Sequence, residues 1–209
     1  MNARVRAVLF LGKANDAHTE KAIDFCRLNF AEVSAHVGKW GEPLPSPARA
    51  WAGDCIICYL SRWILPEDLL KRAGTAINFH PGPPEYPGYG CNNFAVYENA
   101  REYGVTCHHM VPRVDTGAIV DVRRFPVFSS DNAGTLLARA YDYQLALFYD
   151  IAGRIIRGEP LPVSGERWSR EPFTRKQFSE LGRVTPDMSE QEIARRKRAT
   201  AVGALKPAP

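Results

Sequence analysis

The chain has 209 residues, 45% of them hydrophobic and 24% charged, with a formal net charge of +4. That balance suits a globular protein of one α/β domain plus an appendage. The charge is modest and its only basic cluster is Arg195-Arg196-Lys197-Arg198, which is too narrow for a nucleic-acid-binding face. No apolar run approaches the ~20 residues that cross a bilayer. The apolar stretch after the charged N-terminus is too short for a signal peptide, so a cytoplasmic protein without membrane or nucleic-acid partners is expected.

In chain order, short apolar strands are predicted at 5–11, 31–37, 55–60, 76–79, 105–111 and 119–125. A helix over 16–30 separates the first two. Another is predicted over 66–73, with Pro66 at its start and Glu67 and Asp68 in its first turn. A third is predicted over 92–103, closed by Gly104. The longest is predicted over 130–158, with Ser130 or Asp131 as its cap and Gly158 at its end. This order implies a doubly wound, mostly parallel α/β sheet with right-handed crossovers. The first domain is expected over 1–160. A small helical or irregular appendage follows over 161–209: a short turn or helix at 173–178, a charged helix capped by Ser189, and a frayed end over 201–209.

The five cysteines are an odd number, and no disulfide framework is expected. Cys55 and Cys58 form a CxxC, but within the apolar run Asp54-Cys55-Ile56-Ile57-Cys58-Tyr59-Leu60, where they read as core residues. No second CxxC completes a zinc site. The first turn, Gly12-Lys13-Ala14-Asn15-Asp16, is neither a dinucleotide-binding nor a P-loop pattern.

The most informative stretch is Asn78-Phe79-His80-Pro81-Gly82-Pro83-Pro84-Glu85-Tyr86-Pro87-Gly88, followed later by Asp115-Thr116-Gly117. Its prolines rule out a helix or a central strand and make a stiff loop. An amide, an imidazole and a carboxylate at strand ends are the groups that acyl transfer to nitrogen needs: an oxyanion donor, a proton manager and an orienting carboxylate. Ligands of such sheets bind beyond the carboxyl ends of the strands, where Asn78 and His80 fall. A hydrogen-bonded Asn–His pair that merely pins the loop is the structural alternative.

Ile77-Asn78-Phe79-His80-Pro81-Gly82 resembles the Asn-x-His-Pro segment of the 10-formyltetrahydrofolate-dependent formyltransferases. The stretch from Gly104 through Asp115-Thr116-Gly117 resembles that family's second segment, which ends in its catalytic Asp-x-Gly. The segment Phe173-Thr174-Arg175-Lys176-Gln177-Phe178 is most similar to the sugar-nucleotide N-formyltransferases within it. The resemblance implies a Rossmann-like fold, a homodimer and 10-formyltetrahydrofolate as formyl donor. It makes Asn78, His80 and Asp115 the catalytic trio. Asn78 and a protonated His80 would donate to the formyl oxygen, and Asp115 would orient His80 and help remove the amine proton.

The resemblance places the pterin against Trp63, Ile64, Leu65 and the 112–115 segment, which includes Val114, with Arg62 toward the folate's anionic tail. Trp63 is equally readable as core and Arg62 as a surface charge. His108 is the histidine of the His108-His109 pair expected beside Asp115, or else a core residue. Glu85, Tyr86 and Asn92 are the expected acceptor contacts. Glu85 stands where many relatives carry Lys or Arg, and either attracts an ammonium or is solvated. No metal is expected.

The implied activity is N-formylation of a primary amine on a small molecule, foremost a nucleotide-linked amino sugar. The lack of a glycine-rich first turn argues against glycinamide ribonucleotide. The chain length argues against the extra domain of the methionyl-tRNA enzyme. The alternatives are formylation of an amino acid or hydroxylamine, hydrolysis of 10-formyltetrahydrofolate, and a non-catalytic folate- or nucleotide-binding module.

Overall fold

The structure, a computed structural model, describes residues 5–201. Its centre is a six-stranded sheet in the order β2-β1-β3-β4-β5-β6. The strands are β1 (Ala7–Lys13), β2 (Glu32–Gly38), β3 (Gly53–Tyr59), β4 (Ala73–His80), β5 (Glu102–His109) and β6 (Ile119–Pro126). The first four run parallel, whereas β5 and β6 are antiparallel to their neighbours. The helices are α1 (Ala17–Asn29), α2 (Ser46–Ala50), α3 (Glu67–Leu70), α4 (Cys91–Tyr97), α5 (Ala133–Arg157), α6 (Arg175–Gly182) and α7 (Glu190–Thr200). The α/β, mostly parallel, Rossmann-like sheet expected from the sequence is therefore present.

The period-2 alternation of strand side chains divides the core in two. Phe10, Ile57, Tyr59, Ile77 and Phe79 face one side, while Leu9, Leu11, Ile56, Cys58, Leu65 and Leu69 face the other. On the first side Phe148 of α5 makes edge contacts with Phe10, Tyr59 and Phe79, at centroid distances of 6.3, 5.6 and 5.5 Å. All five cysteines are free and buried, and burial raises the Cys55 and Cys58 thiols to about 12, as core residues should behave.

Three local readings need correction. The helix predicted over 92–103 stops at Tyr97, and Gly104 lies inside β5, where a Cβ would meet the Arg123 backbone oxygen of β6 at 2.5 Å. The helix predicted over 66–73 is the four-residue α3, because Ala73 already belongs to β4. The long helix is capped by Asn132, whose side chain accepts from Thr135 N, while Asp131 instead pairs with Arg139 at 2.8 Å. Gly158 in the left-handed region ends that helix and Ser189 caps α7, both as predicted. Apart from Ala201, the frayed end predicted over 201–209 lies outside the described residues.

Segment 164–173 is not a free appendage. Ser164 N donates to Ile119 O, Ser169 N to Pro84 O, and Phe173 N to Pro87 O, while Tyr89 N returns a bond to Phe173 O. Phe173 stacks on Phe94 of α4 at 3.8 Å. The strand-to-loop bonds thus fasten this segment along the proline-rich loop that follows β4.

Candidate active site

Register creates the site. Asn78 of β4 pairs directly with His108 of β5, so their side chains project from the same face as a cross-strand pair. Asn78 Nδ2 lies 3.1 Å from His108 Nε2. An amide has two N–H donors; with one turned to His108, the other is uncommitted on a side chain that is only half-buried.

His80 closes β4 and Asp115 follows β5 on the loop to β6. Asp115 adopts φ +47, a left-handed conformation that costs free energy in a non-glycine residue and clusters at functional sites. Its carboxylate accepts one backbone hydrogen bond and faces two imidazoles. Oδ2 accepts from Gly88 N at 2.8 Å and lies 3.2 Å from His80 Nδ1, while Oδ1 lies 3.2 Å from His108 Nε2. All three side chains are at most 5% exposed.

His80 Nε2 is 2.9 Å from the Tyr86 carbonyl, which can only accept, so this nitrogen carries a proton. Its Nδ1 lies 3.2 Å from the Asp115 carboxylate as an ion pair, a position that a bare ring nitrogen would disfavour. Both nitrogens therefore bear hydrogens, and the ring is an imidazolium. Burial opposes that charge, but the Asp115 carboxylate outweighs it and raises His80 to about 9. Burial likewise opposes the Asp115 charge, and the adjacent His80 cation and His108 hold its carboxyl well below the usual carboxylate range.

Trp168 covers the pair. Its ring lies edge-on to His108 at 5.1 Å and to His80 at 5.9 Å, and its Nε1 donates to Gly117 O at 2.8 Å. Sequence reasoning missed this residue, since a lone tryptophan in an irregular segment carries no periodic signal. Trp168 also helps line a cleft of about 560 Å³ formed by residues 116–119 and 166–172. Asn78, His80 and Asp115 do not line that cleft, so the tryptophan stands as the wall between them.

A family model described as Formyl transferase matches residues 41–151, more than half of the chain. The chain belongs to the formyl transferase family. A methionyl-tRNA formyltransferase of Enterococcus faecalis is 32% identical over 131 residues, covering 60% of this chain and 42% of that protein. The chain thus spans less than half the length of that relative. Among solved structures, a likely sugar N-formyltransferase from Mycobacterium tuberculosis superposes with a TM-score of 0.76 at 19% identity, covering 97% of this chain and 90% of that one. An N-formyltransferase from Helicobacter canadensis, in complex with folinic acid and dTDP-3-aminofucose, gives 0.73 at 20% identity, covering 93% and 80%. At those identities the likeness is one of fold.

The remaining predicted residues of this formyl transferase divide by direction. Arg62 and Trp63 are half-buried at the end of β3, and the Trp63 Nε1 donates to Glu42 O at 2.9 Å. Ile64 is 75% exposed and Val114 42%, while Leu65 is buried against Leu9 and Leu69. The loops that follow the strands on either side of β4 therefore carry exposed apolar side chains. His108 is in the cluster, as expected, and His109 is excluded from it by strand alternation.

Three expected acceptor contacts are held by partners within the protein. Glu85 is held by Arg124 through two 3.0 Å bonds, and the same guanidinium also bonds Glu166. The Tyr86 ring is buried beside Phe173, with its carbonyl committed to His80. Asn92 is buried and donates to Ala133 O at 2.8 Å. Among the described residues no cluster could hold a metal ion.

Proposed function

We propose that this protein transfers the formyl group of 10-formyltetrahydrofolate to a primary amine of a nucleotide-linked amino sugar. The observation that carries this reading is the half-buried Asn78 amide standing beside a buried imidazolium at the carboxyl end of a mostly parallel sheet. Attack of a neutral amine on a formyl carbon places negative charge on the formyl oxygen. The uncommitted Asn78 N–H is a donor for that oxygen, and the His80 cation stabilises the charge in a site with little water to screen it. With both nitrogens engaged, His80 acts through its charge, and it becomes a donor only by releasing the Tyr86 carbonyl.

Asp115 keeps His80 protonated and oriented. A carboxylate bonded to Gly88 N, facing the His80 cation and held so low is a poor base, so the amine proton leaves through solvent rather than through Asp115. The donor supplies an activated one-carbon acyl group. The exposed Ile64 and Val114, on loops flanking β4, are apolar surface for its ring, and Arg62 is the nearby cation for its anionic tail.

The acceptor class is supported by the solved neighbours described as sugar N-formyltransferases, and by one in complex with dTDP-3-aminofucose. The test is to incubate the full chain with 10-formyltetrahydrofolate and a panel of amino-sugar nucleotides while following tetrahydrofolate release. Release that requires an amino-sugar nucleotide is expected. Amine-independent release would make the protein a hydrolase. Formylation of methionyl-tRNA alone, or binding without turnover on any amine, would also reject the proposal.

A further inference from the structure

β4 ends at His80 because Pro81 has no N–H to give the ladder, whereas residues 102–105 of β5 pair with β6 and run on past that end. Two side chains of β5 take the ladder's place. Thr106 Oγ1 donates to Gly82 O and Tyr103 Oη donates to Pro81 O, both at 2.8 Å. Thr106 and Tyr103 are fully buried. Cys91 Sγ also reaches Pro81 O, but only at 3.5 Å.

Tyr103 also touches the far end of the same loop. Its ring centroid lies 6.1 Å from that of Tyr86, and the Tyr86 carbonyl is the acceptor of His80 Nε2 at 2.9 Å. One side chain therefore holds the residue after His80 through its hydroxyl, and the residue that returns to His80 through its ring. The turn between them is packed onto that bond: a Cβ on Gly82 would stand 2.6 Å from His80 Nε2 and 2.9 Å from Tyr86 O. Burial pushes the Tyr103 phenol well above its ordinary 10, so it stays a donor throughout the titration of His80. The charged and titratable groups that face His80 are Asp115 from the loop after β5, His108 beyond that carboxylate and Cys91 from the start of α4.

We propose that Tyr103 is a positioning residue for the reaction: by joining Pro81 to Tyr86 it keeps the loop closed and the Tyr86 carbonyl on His80 Nε2. A carbonyl held there favours the charged ring over the neutral one and fixes the ring's orientation. Removing the hydroxyl leaves the Pro81 carbonyl short of its donor, and the loop regains one only by shifting its backbone. Tyr103 touches no reacting group, so its effect on catalysis passes through His80. That catalytic role rests on the formyl-transfer reading; the coupling of Tyr103 to the charge of His80 does not.

The experiment is a pH titration of the ¹⁵N-histidine-labelled full chain by NMR, with the His80 ring assigned from its absence in His80→Gln. Wild type is expected to titrate at about 9. Tyr103→Phe, which keeps the ring and removes the hydroxyl, should lower that midpoint by about one unit, a roughly tenfold loss of proton affinity. Gly82→Ala should lower it as well, by pushing the turn off His80. Phe125→Leu is the control. Phe125 packs on the Tyr103 ring at 5.8 Å from β6, so its loss should lower Tm and leave the midpoint in place. A midpoint unmoved by either of the first two substitutions, or moved as far by Phe125→Leu, overturns the proposal. The alkaline limb of kcat should follow the midpoint in Tyr103→Phe, and a limb that stays while the midpoint moves rejects Tyr103 as a positioning residue. The titration needs no turnover, so a midpoint that shifts in a protein inactive on every amine supports the coupling and rejects formyl transfer.

Discussion

An asparagine facing a histidine across two strands, and a second histidine held between a backbone carbonyl and a carboxylate, make the residue scale decisive here. Asn78→Ala removes the one uncommitted donor in the cluster. It should lower kcat by about 10²–10³-fold, the usual cost of an oxyanion donor, with the circular dichroism spectrum unchanged; a wild-type kcat would remove Asn78 from the chemistry. The His80–Asp115 pair sets a pH window. His80 titrates above its ordinary 6.5, at about 9, so its contribution to stability is complete below about 6.5 and is lost as pH rises through about 9. Asp115 is held below its ordinary 3.8, so its contribution is present above that pH and lost as the pH falls.

Activity should therefore decline on an alkaline limb near pH 9. Asp115→Asn removes the charge that sustains the imidazolium and should move that limb to lower pH. A limb that stays in place would show that another group titrates. The proposed catalytic residues were legible in the sequence because Asn78, His80 and Asp115 stand out by side-chain chemistry and spacing. The double commitment of His80 was not, since it depends on a backbone carbonyl, that of Tyr86, whose direction no side chain encodes.

At the scale of elements, the loop from β5 to β6 and segment 164–173 act together through Trp168. Gly117 packs so tightly on the His109 carbonyl that a Cβ would collide with it. Gly117→Ala should displace the Trp168 anchor and reduce both activity and thermal stability; an alanine variant with wild-type Tm and rate would refute the close approach. Trp168→Ala should lower kcat by admitting water to the ion pair, and Trp168→Phe should recover part of it by keeping the edge contact without the Nε1 bond. Equal rates in all three proteins would relegate Trp168 to packing. Separately, Asn132→Ala should cost about 1 kcal/mol by removing the cap of α5, read from denaturant unfolding.

The strands were legible as elements because each is a short apolar run, and the core cysteines followed from the same pattern. The antiparallel turn of β5 was harder to see. Gly104 reads as the end of a helix reaching Tyr103, but pairing with β6 begins at Glu102 and overrides that local signal. The Arg124 pairing of Glu85 with Glu166 was likewise invisible, because it joins residues remote in the chain.

Across the whole molecule, the parallel strands β1 to β4 deliver their carboxyl ends to one edge, and the later chain folds back over it. The position where such folds often hold a phosphate, the N-terminus of α1, is filled by this chain's own carboxylate: Asp16 accepts from Thr19 N at 3.0 Å and from Lys13 Nζ at 2.9 Å. This accounts in structural terms for the missing glycine-rich turn. The appendage boundary predicted near residue 160 rested on a change of composition. Composition does not reveal that segment 164–173 is bonded along the loop after β4.

The bond from Gly88 N to Asp115 has a consequence of a different kind. Gly88 sits at φ +86 in the middle of the proline-rich loop, and its N–H shares the carboxylate oxygen that faces His80. The proton on one imidazole is thereby tied to the rigidity of a whole recognition loop. When His80 is charged, Asp115 is drawn toward it while still gripping Gly88, and the loop is clamped. When His80 is neutral, the carboxylate has no cation to hold it and the clamp slackens. Hydrogen–deuterium exchange at Gly88 should therefore quicken above pH 9 by more than the intrinsic base catalysis of exchange. The loop would then report, in its motion, the charge state of a residue it does not contain.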